Sequence, residues 1–138
     1  MKKTKRLAKL MTCILLMAGI FGCTYGFPEG YDKDTVTDKA EEMIELVNTL
    51  DYEAIAAALR EDMQERVTAE DFENAWGKKL TKLGGFKKFG TPVLSGEMDT
   101  DTGEEFALVA YKCYYENGSA TFTVYFDSNM EMTAIYLK

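Results

Sequence analysis

The stretch EFALVAYKCYYENGSATFTVYFD, Glu105 to Asp127, holds two runs of β-forming residues, Glu105 to Glu116 and Ser119 to Asp127, on either side of Asn117-Gly118. Asn-Gly between alternating runs calls for a two-residue type I′ hairpin, because both central positions need positive φ. That turn pairs Glu116 with Ser119, Cys113 with Phe122, Tyr111 with Val124 and Val109 with Phe126. One face of the hairpin then reads Val109, Tyr111, Cys113, Tyr115, Ala120, Phe122, Val124 and Phe126. An apolar surface of that extent must be covered by something.

The opposite face reads Lys112, Tyr114, Thr121, Thr123, Tyr125, Met132, Ala134 and Tyr136. Tyrosine combines large contact area with a polar tip, so Tyr114, Tyr125 and Tyr136 are candidate interface residues, for a homodimer or for a partner protein of the cell envelope. Downstream, a tight turn around Ser128-Asn129 pairs Phe122 with Ile135 and Ala120 with Leu137, which adds a last strand to the same apolar face. Upstream, Phe86 to Met98 forms a further strand, interrupted by Pro92 and therefore expected at an edge.

Before Phe86 the period changes from two to that of a helix. Val36, Ala40, Met43, Ile44, Val47 and Leu50 mark an amphipathic helix near 35–49. Asp51 caps a second helix running from Tyr52 to about Met63, through the alanine-rich stretch Ala54 to Leu59. Thr68 is the N-cap of a third, whose stripe is Phe72, Ala75, Trp76, Leu80 and Leu83 and whose stop is Gly84-Gly85. Helices and strands segregated in this order predict an α+β fold, with three N-terminal helices packed on a curved four-stranded antiparallel sheet.

The chain has 138 residues, 16 Lys plus Arg, 23 Asp plus Glu, three Cys and no His. That length supports one ordinary domain. Without histidine there is no Ser-His-Asp or Cys-His triad, no imidazole base and no His-containing zinc site. A net charge of −7 leaves no basic stripe for a phosphate backbone, so no nucleic-acid partner is expected.

Residues 1–22 look like an address rather than structure. Lys2, Lys3, Lys5, Arg6 and Lys9 precede a charge-free run from Leu10 to Gly22, the pattern of a signal peptide. The run is shorter than the roughly 20 apolar residues that span a bilayer. Ile20-Phe21-Gly22-Cys23 resembles the bacterial lipobox, in which the thiol, here that of Cys23, is diacylglyceryl-modified and becomes the new N-terminus. Removing residues 1–22 takes away five basic side chains and no acidic one, so residues 23–138 hold 11 basic and 23 acidic groups, a formal −12. Acyl chains on Cys23 would therefore provide the attachment to the bilayer on the extracytoplasmic side of the cell membrane. Residues 23–33, with two Gly and a Pro, read as a tether, and 34–138 as the single domain. With Cys13 lost and Cys23 acylated, Cys113 has no partner for an intramolecular disulfide and is expected in the core.

Three groups of residues carry a family resemblance: Val67-Thr68-Ala69-Glu70-Asp71-Phe72 leading to Trp76, the junction Leu83-Gly84-Gly85-Phe86, and Val124 to Asp127 followed by Met132 to Leu137. Over roughly 36–138 they resemble the bacterial domain of unknown function 3887, a lipoprotein-associated module. That module is similar in turn to the nuclear transport factor 2-like fold, also described as SnoaL-like, ketosteroid isomerase-like or cystatin-like. Where many relatives have Gly after the last turn, this chain has Met130 or Ala134.

The resemblance implies a cone with a cavity between helices and sheet, and Trp76 and Tyr111 are the candidate pocket-lining residues. Isomerase-type relatives use that cavity for proton transfer by an Asp and a Tyr; no spacing in this chain reproduces such a pair, and no catalytic, metal or cofactor residue is assigned. The segment Asp99 to Glu105 is rich in oxygen ligands, but its spacing is not that of a calcium loop and it reads as a hairpin loop. The expectation is a lipid-anchored ligand- or protein-binding module. The alternatives are a small isomerase or hydrolase using Asp, Glu or Tyr, and a structural accessory domain of an envelope system.

Overall fold

A computed structural model describes residues 26–138, so the segment read as a signal peptide, Cys13 and the expected lipid-attachment residue Cys23 lie outside the described residues. Among the described residues four helical segments precede five strands: α1 (Lys33–Asn48), α2 (Tyr52–Ala58), α3 (Glu61–Gln64), α4 (Ala69–Leu83), β1 (Phe86–Phe89), β2 (Val93–Met98), β3 (Glu105–Tyr115), β4 (Gly118–Phe126) and β5 (Met132–Leu137). All strand pairs are antiparallel.

Each longer helix starts where a side chain satisfies the open backbone N–H groups of a first turn. Asp32 accepts from the Thr35 N–H at 2.8 Å, Asp51 from the Ala54 N–H at 3.1 Å, and Thr68 and Asp71 form a reciprocal capping box at 3.2 and 2.9 Å. The expected second helix is two pieces. Leu59 and Arg60 are extended (ψ 151° and 143°), because Leu59 forms a parallel bridge with Met132 and the Arg60 N–H donates to the Met132 carbonyl at 2.8 Å. Gln64 Nε2 then satisfies the Ala57 and Leu59 carbonyls left open at the break.

The segment expected to be one strand is also two. β1 and β2 lie one after the other along the same edge of β3, separated at Gly90-Thr91-Pro92, so the sheet order is β1/β2-β3-β4-β5.

The central hairpin differs from its expected register by two residues. Tyr115 pairs with Gly118, Cys113 with Ala120, Tyr111 with Phe122 and Val109 with Val124. The turn residues are Glu116 and Asn117, and only Gly118 has a positive φ, 152°. The cause is tertiary. The Glu116 N–H donates to the Gly85 carbonyl and the Asn117 N–H to the Leu83 carbonyl, both at 2.9 Å, while Asn117 Nδ2 reaches the Lys82 carbonyl at 3.3 Å. The hairpin tip thus caps the end of α4, next to Gly84 at φ 78°.

The β4–β5 register is displaced by two as well, Phe122 facing Leu137 and Val124 facing Ile135. Since side chains alternate with period two, neither displacement moves a residue to the other face. All eight expected apolar residues, from Val109 through Phe126, belong to one core with Val36, Ile44, Ile55, Phe72, Trp76 and Leu80 of the helices. Met132 is the exception among the open-face residues. An irregularity between Tyr125 and Phe126 turns it into the core, 2% exposed. Met130, one of the two positions that the resemblance sets against Gly, has φ 62°.

Residues 26–32 lie along this frame. Phe27 and Tyr31 pack against the core, and the Tyr31 hydroxyl donates to the Glu105 carbonyl at 2.8 Å.

Candidate functional site

The interior between helices and sheet is filled. Tyr111, Phe122, Phe126, Ile44 and Ile55 are almost fully buried there, and Trp76 stands edge-on to Phe122 with ring centroids 6.3 Å apart. Tyr111 sits among these side chains and is not part of the lining of the cleft beside β5; its hydroxyl donates to Glu41 Oε1 at 2.8 Å. Burial, and then the Glu41 carboxylate, push that phenol well above its ordinary pKa, so it stays protonated. Burial alone pushes the Cys113 thiol up to about 12, so at neutral pH it stays a thiol rather than a thiolate nucleophile.

Open space lies to one side, as a cleft of about 660 Å³ between the helices and the outer edge of β5. One wall is Leu59, Met63, Val67, Phe72, Ala75 and Trp76, with Arg66, Asp71 and Asn74 at the polar positions; the other is Thr133 through Leu137 without a gap. Five consecutive strand residues can border one cleft only if it runs along the strand's edge, since alternate side chains leave opposite faces. The cleft exists because α4 packs on α2 rather than on β5.

Hydrogen-bond alternation says what that edge offers. Thr121 and Lys138 exchange both bonds, at 3.0 and 2.9 Å. In an antiparallel ladder such pairs alternate with pairs that exchange none. Tyr136 and Ala134, facing Thr123 and Tyr125, therefore bond to β4, while the N–H and C=O of Ile135 and Leu137 point away from β4 and into the cleft. At the start of the edge the same role is already occupied, by Leu59-Arg60 on Met132.

Trp76 borders this cleft, and Tyr136 belongs to its far wall. Of the three open-face tyrosines, Tyr125 and Tyr136 meet at 5.4 Å in a second small cluster with Phe106, Leu108 and Ala134. Tyr114 is apart from them, beneath the ammonium groups of Lys88 and Lys112 at 5.3 and 5.5 Å from its ring. Arg66, Met63, Val67 and the edge of β5 were not legible as site residues, although Met132 to Leu137 contains neither Pro nor a charge, the usual guards of an exposed edge.

One polar cluster also lies outside any sequence motif. Arg60 holds Asp62 through two bonds at 2.7 and 3.0 Å, Glu104 at 2.8 Å and the buried Asp127 at 3.1 Å. Asp127 Oδ1 also accepts the N–H groups of Asn129 and Glu131. Every partner is used to join three loops, so this cluster is structural. Asp99 likewise turns its carboxylate onto the backbone N–H groups of Asp101 and Thr102. Among the described residues no group of three or more His, Cys, Asp or Glu side chains is placed to hold a metal ion, and no helix is long and apolar enough to cross a membrane.

No curated protein matches this chain. Among solved structures, an NMR structure of a protein from Ruminococcus gnavus ATCC 29149 is similar, with a TM-score of 0.72 and 29% identity, over 82% of this chain and 96% of that one. The family model described as "Protein of unknown function (DUF3887)" matches residues 40–135, most of the chain, and to that family the chain belongs.

Proposed function

We propose that the protein is a lipid-anchored, extracytoplasmic binding module that takes an extended polypeptide segment into the cleft beside β5. The fold we read as a packed variety of the nuclear transport factor 2-like cone, with recognition moved from the interior to the edge. The observation that carries the proposal is the row of outward N–H and C=O groups on Ile135 and Leu137, set in an apolar cleft. A strand is the ligand whose own groups repeat at that spacing, and strand addition supplies affinity through the backbone and selectivity through alternate side chains. The Leu59-Arg60 bridge supports it, because this edge already accepts a short length of backbone. Attachment through Cys23 is supported by the lipobox-like Ile20-Phe21-Gly22-Cys23.

Trp76 is the chain's single tryptophan and borders the cleft, so its emission reports occupancy. Titration with a blocked hexapeptide of alternating valine and threonine should shift that emission saturably. The same peptide N-methylated at alternate amides should lose the effect, and Ala75→Arg, at an exposed position on the cleft wall, should abolish it. Equal binding of the N-methylated peptide would replace strand addition by simple apolar binding, and an unchanged spectrum with both peptides would refute the site.

A further inference from the structure

We infer that the cleft beside β5 is a groove closed at one end that takes the C-terminus of a polypeptide, with Arg66 receiving the free carboxylate. The inference rests on strand addition at the β5 edge, as proposed above, and names which part of a chain is added.

The closed end is made of backbone. Leu59 occupies the edge opposite Met132, and the Arg60 N–H donates to the Met132 carbonyl at 2.8 Å. Leu59 also lines the cleft, so it stands across the path of any strand laid along that edge. Ile135 and Leu137 have no such neighbour among the described residues. An added strand can therefore pair with Leu137 and Ile135 and must stop or turn away beside Thr133. Displacing the obstacle would uncover Leu59, which is 4% exposed, and break the ties of Arg60 to Asp62, Glu104 and Asp127.

Direction decides which terminus reaches that end. Every strand pair in this sheet is antiparallel, and antiparallel pairing is the more stable mode per residue. A strand antiparallel to β5 passes Leu137 first and Ile135 two residues later, so its C-terminus is the end that meets Leu59.

The charges agree. Arg66 and Asp71 are the charged residues lining the cleft. Arg66 belongs to the segment that closes it: the Met63 N–H donates to the Arg60 carbonyl at 2.8 Å, and the Arg66 N–H to the Met63 carbonyl at 3.0 Å. Among the described residues no carboxylate lies within 4.0 Å of the Arg66 guanidinium. The acids of this region are already engaged, Asp71 by the Thr68 N–H at 2.9 Å and Asp62 by two bonds from Arg60. Thr133 borders the same cleft, is 6% exposed, and its hydroxyl bonds to no described residue. A free guanidinium and an unpartnered hydroxyl form a donor set for a carboxylate, whereas a terminal ammonium would find no unengaged acid there.

The test titrates the full chain with the alternating valine and threonine hexapeptide in three forms, read by Trp76 emission: acetylated with a free carboxylate, acetylated and amidated, and amidated with a free amine. The free acid should bind about five- to tenfold more tightly than the doubly blocked form, and the free amine should give no gain. Arg66→Gln, a change at an exposed position, should remove that advantage and leave affinity for the doubly blocked form unchanged. Appending Ser-Gly-Ser to the amidated end should weaken binding about tenfold, and appending it to the acetylated end should not. Binding of the blocked form with no preference for the free acid would overturn the carboxylate site and leave strand addition standing. A preference for the free amine, or equal binding of the two extended peptides, would overturn the direction and the closed end. Equal loss of acid and amide binding in Arg66→Gln would overturn the role of Arg66. No binding by any form would overturn strand addition and this inference with it.

Discussion

Asp127 does the most structural work of any single side chain in the loops. It is 3% exposed, and its two oxygens are divided between Arg60 and the backbone of the β4–β5 turn. Removing one partner of a buried charge pair leaves the other desolvated and unpaired, and here Arg60 retains Asp62, Glu104 and some solvent. Asp127→Ala should therefore cost about 2–4 kcal/mol, measured by urea unfolding, and a cost under about 0.5 kcal/mol would remove this cluster from the account. The same arginine sets an acid dependence. Its hydrogen bonds hold the Asp62 carboxyl below its ordinary 3.8, and the Thr35 N–H does the same for Asp32. A carboxyl whose folded pKa is depressed contributes stability above its unfolded pKa and loses that contribution as pH falls through the folded value. Unfolding midpoints in urea should thus decline below about pH 4, and Arg60→Ala should flatten that decline relative to the parent; an unchanged slope would contradict the assignment.

Elements were legible where local pattern and tertiary contact agree, and illegible where a contact overrides the pattern. Two of the three N-caps, Asp51 and Thr68, could be read because a cap is satisfied within one turn, whereas Asp32 was not read. The break at Leu59-Arg60 could not, since the cause is Met132, more than 70 residues away. Asn117-Gly118 misled for the same reason: its donors are taken by the end of α4. The two turns make opposite demands on substitution. A type I′ turn would need Asn117 at positive φ, making Asn117→Ala costly, whereas the observed turn leaves Asn117 at negative φ and asks glycine only of position 118. Gly118→Ala, whose Cβ would also come within 3.1 Å of Leu83, should cost about 1–2 kcal/mol, and Asn117→Ala about 1 kcal/mol or less. The reverse order in thermal unfolding would restore the other turn. The apolar face was legible despite the displaced register because an error of two preserves parity.

For the molecule as a whole, the sequence announced a helical layer on one sheet face and left the position of any site open. The resemblance pointed to the interior, and core packing around Tyr111, Phe122 and Trp76 closed it. What remained was the β5 edge, which no motif marks because its chemistry is backbone chemistry. Trp76 was found from the helix stripe, yet its relation to Thr133–Leu137 depends on α4 leaning toward α2, a packing choice invisible to periodicity.

Amide hydrogen exchange along β5, free and with the blocked valine–threonine hexapeptide, tests that claim most directly. In the free protein Ala134 and Tyr136 should be protected and Ile135 and Leu137 should exchange quickly, because only the first two donate to β4. Added peptide should slow Ile135 and Leu137 and leave the other two unchanged. Protection of Ile135 and Leu137 in the free protein, or no slowing at either when peptide is bound, would contradict the edge as the binding site.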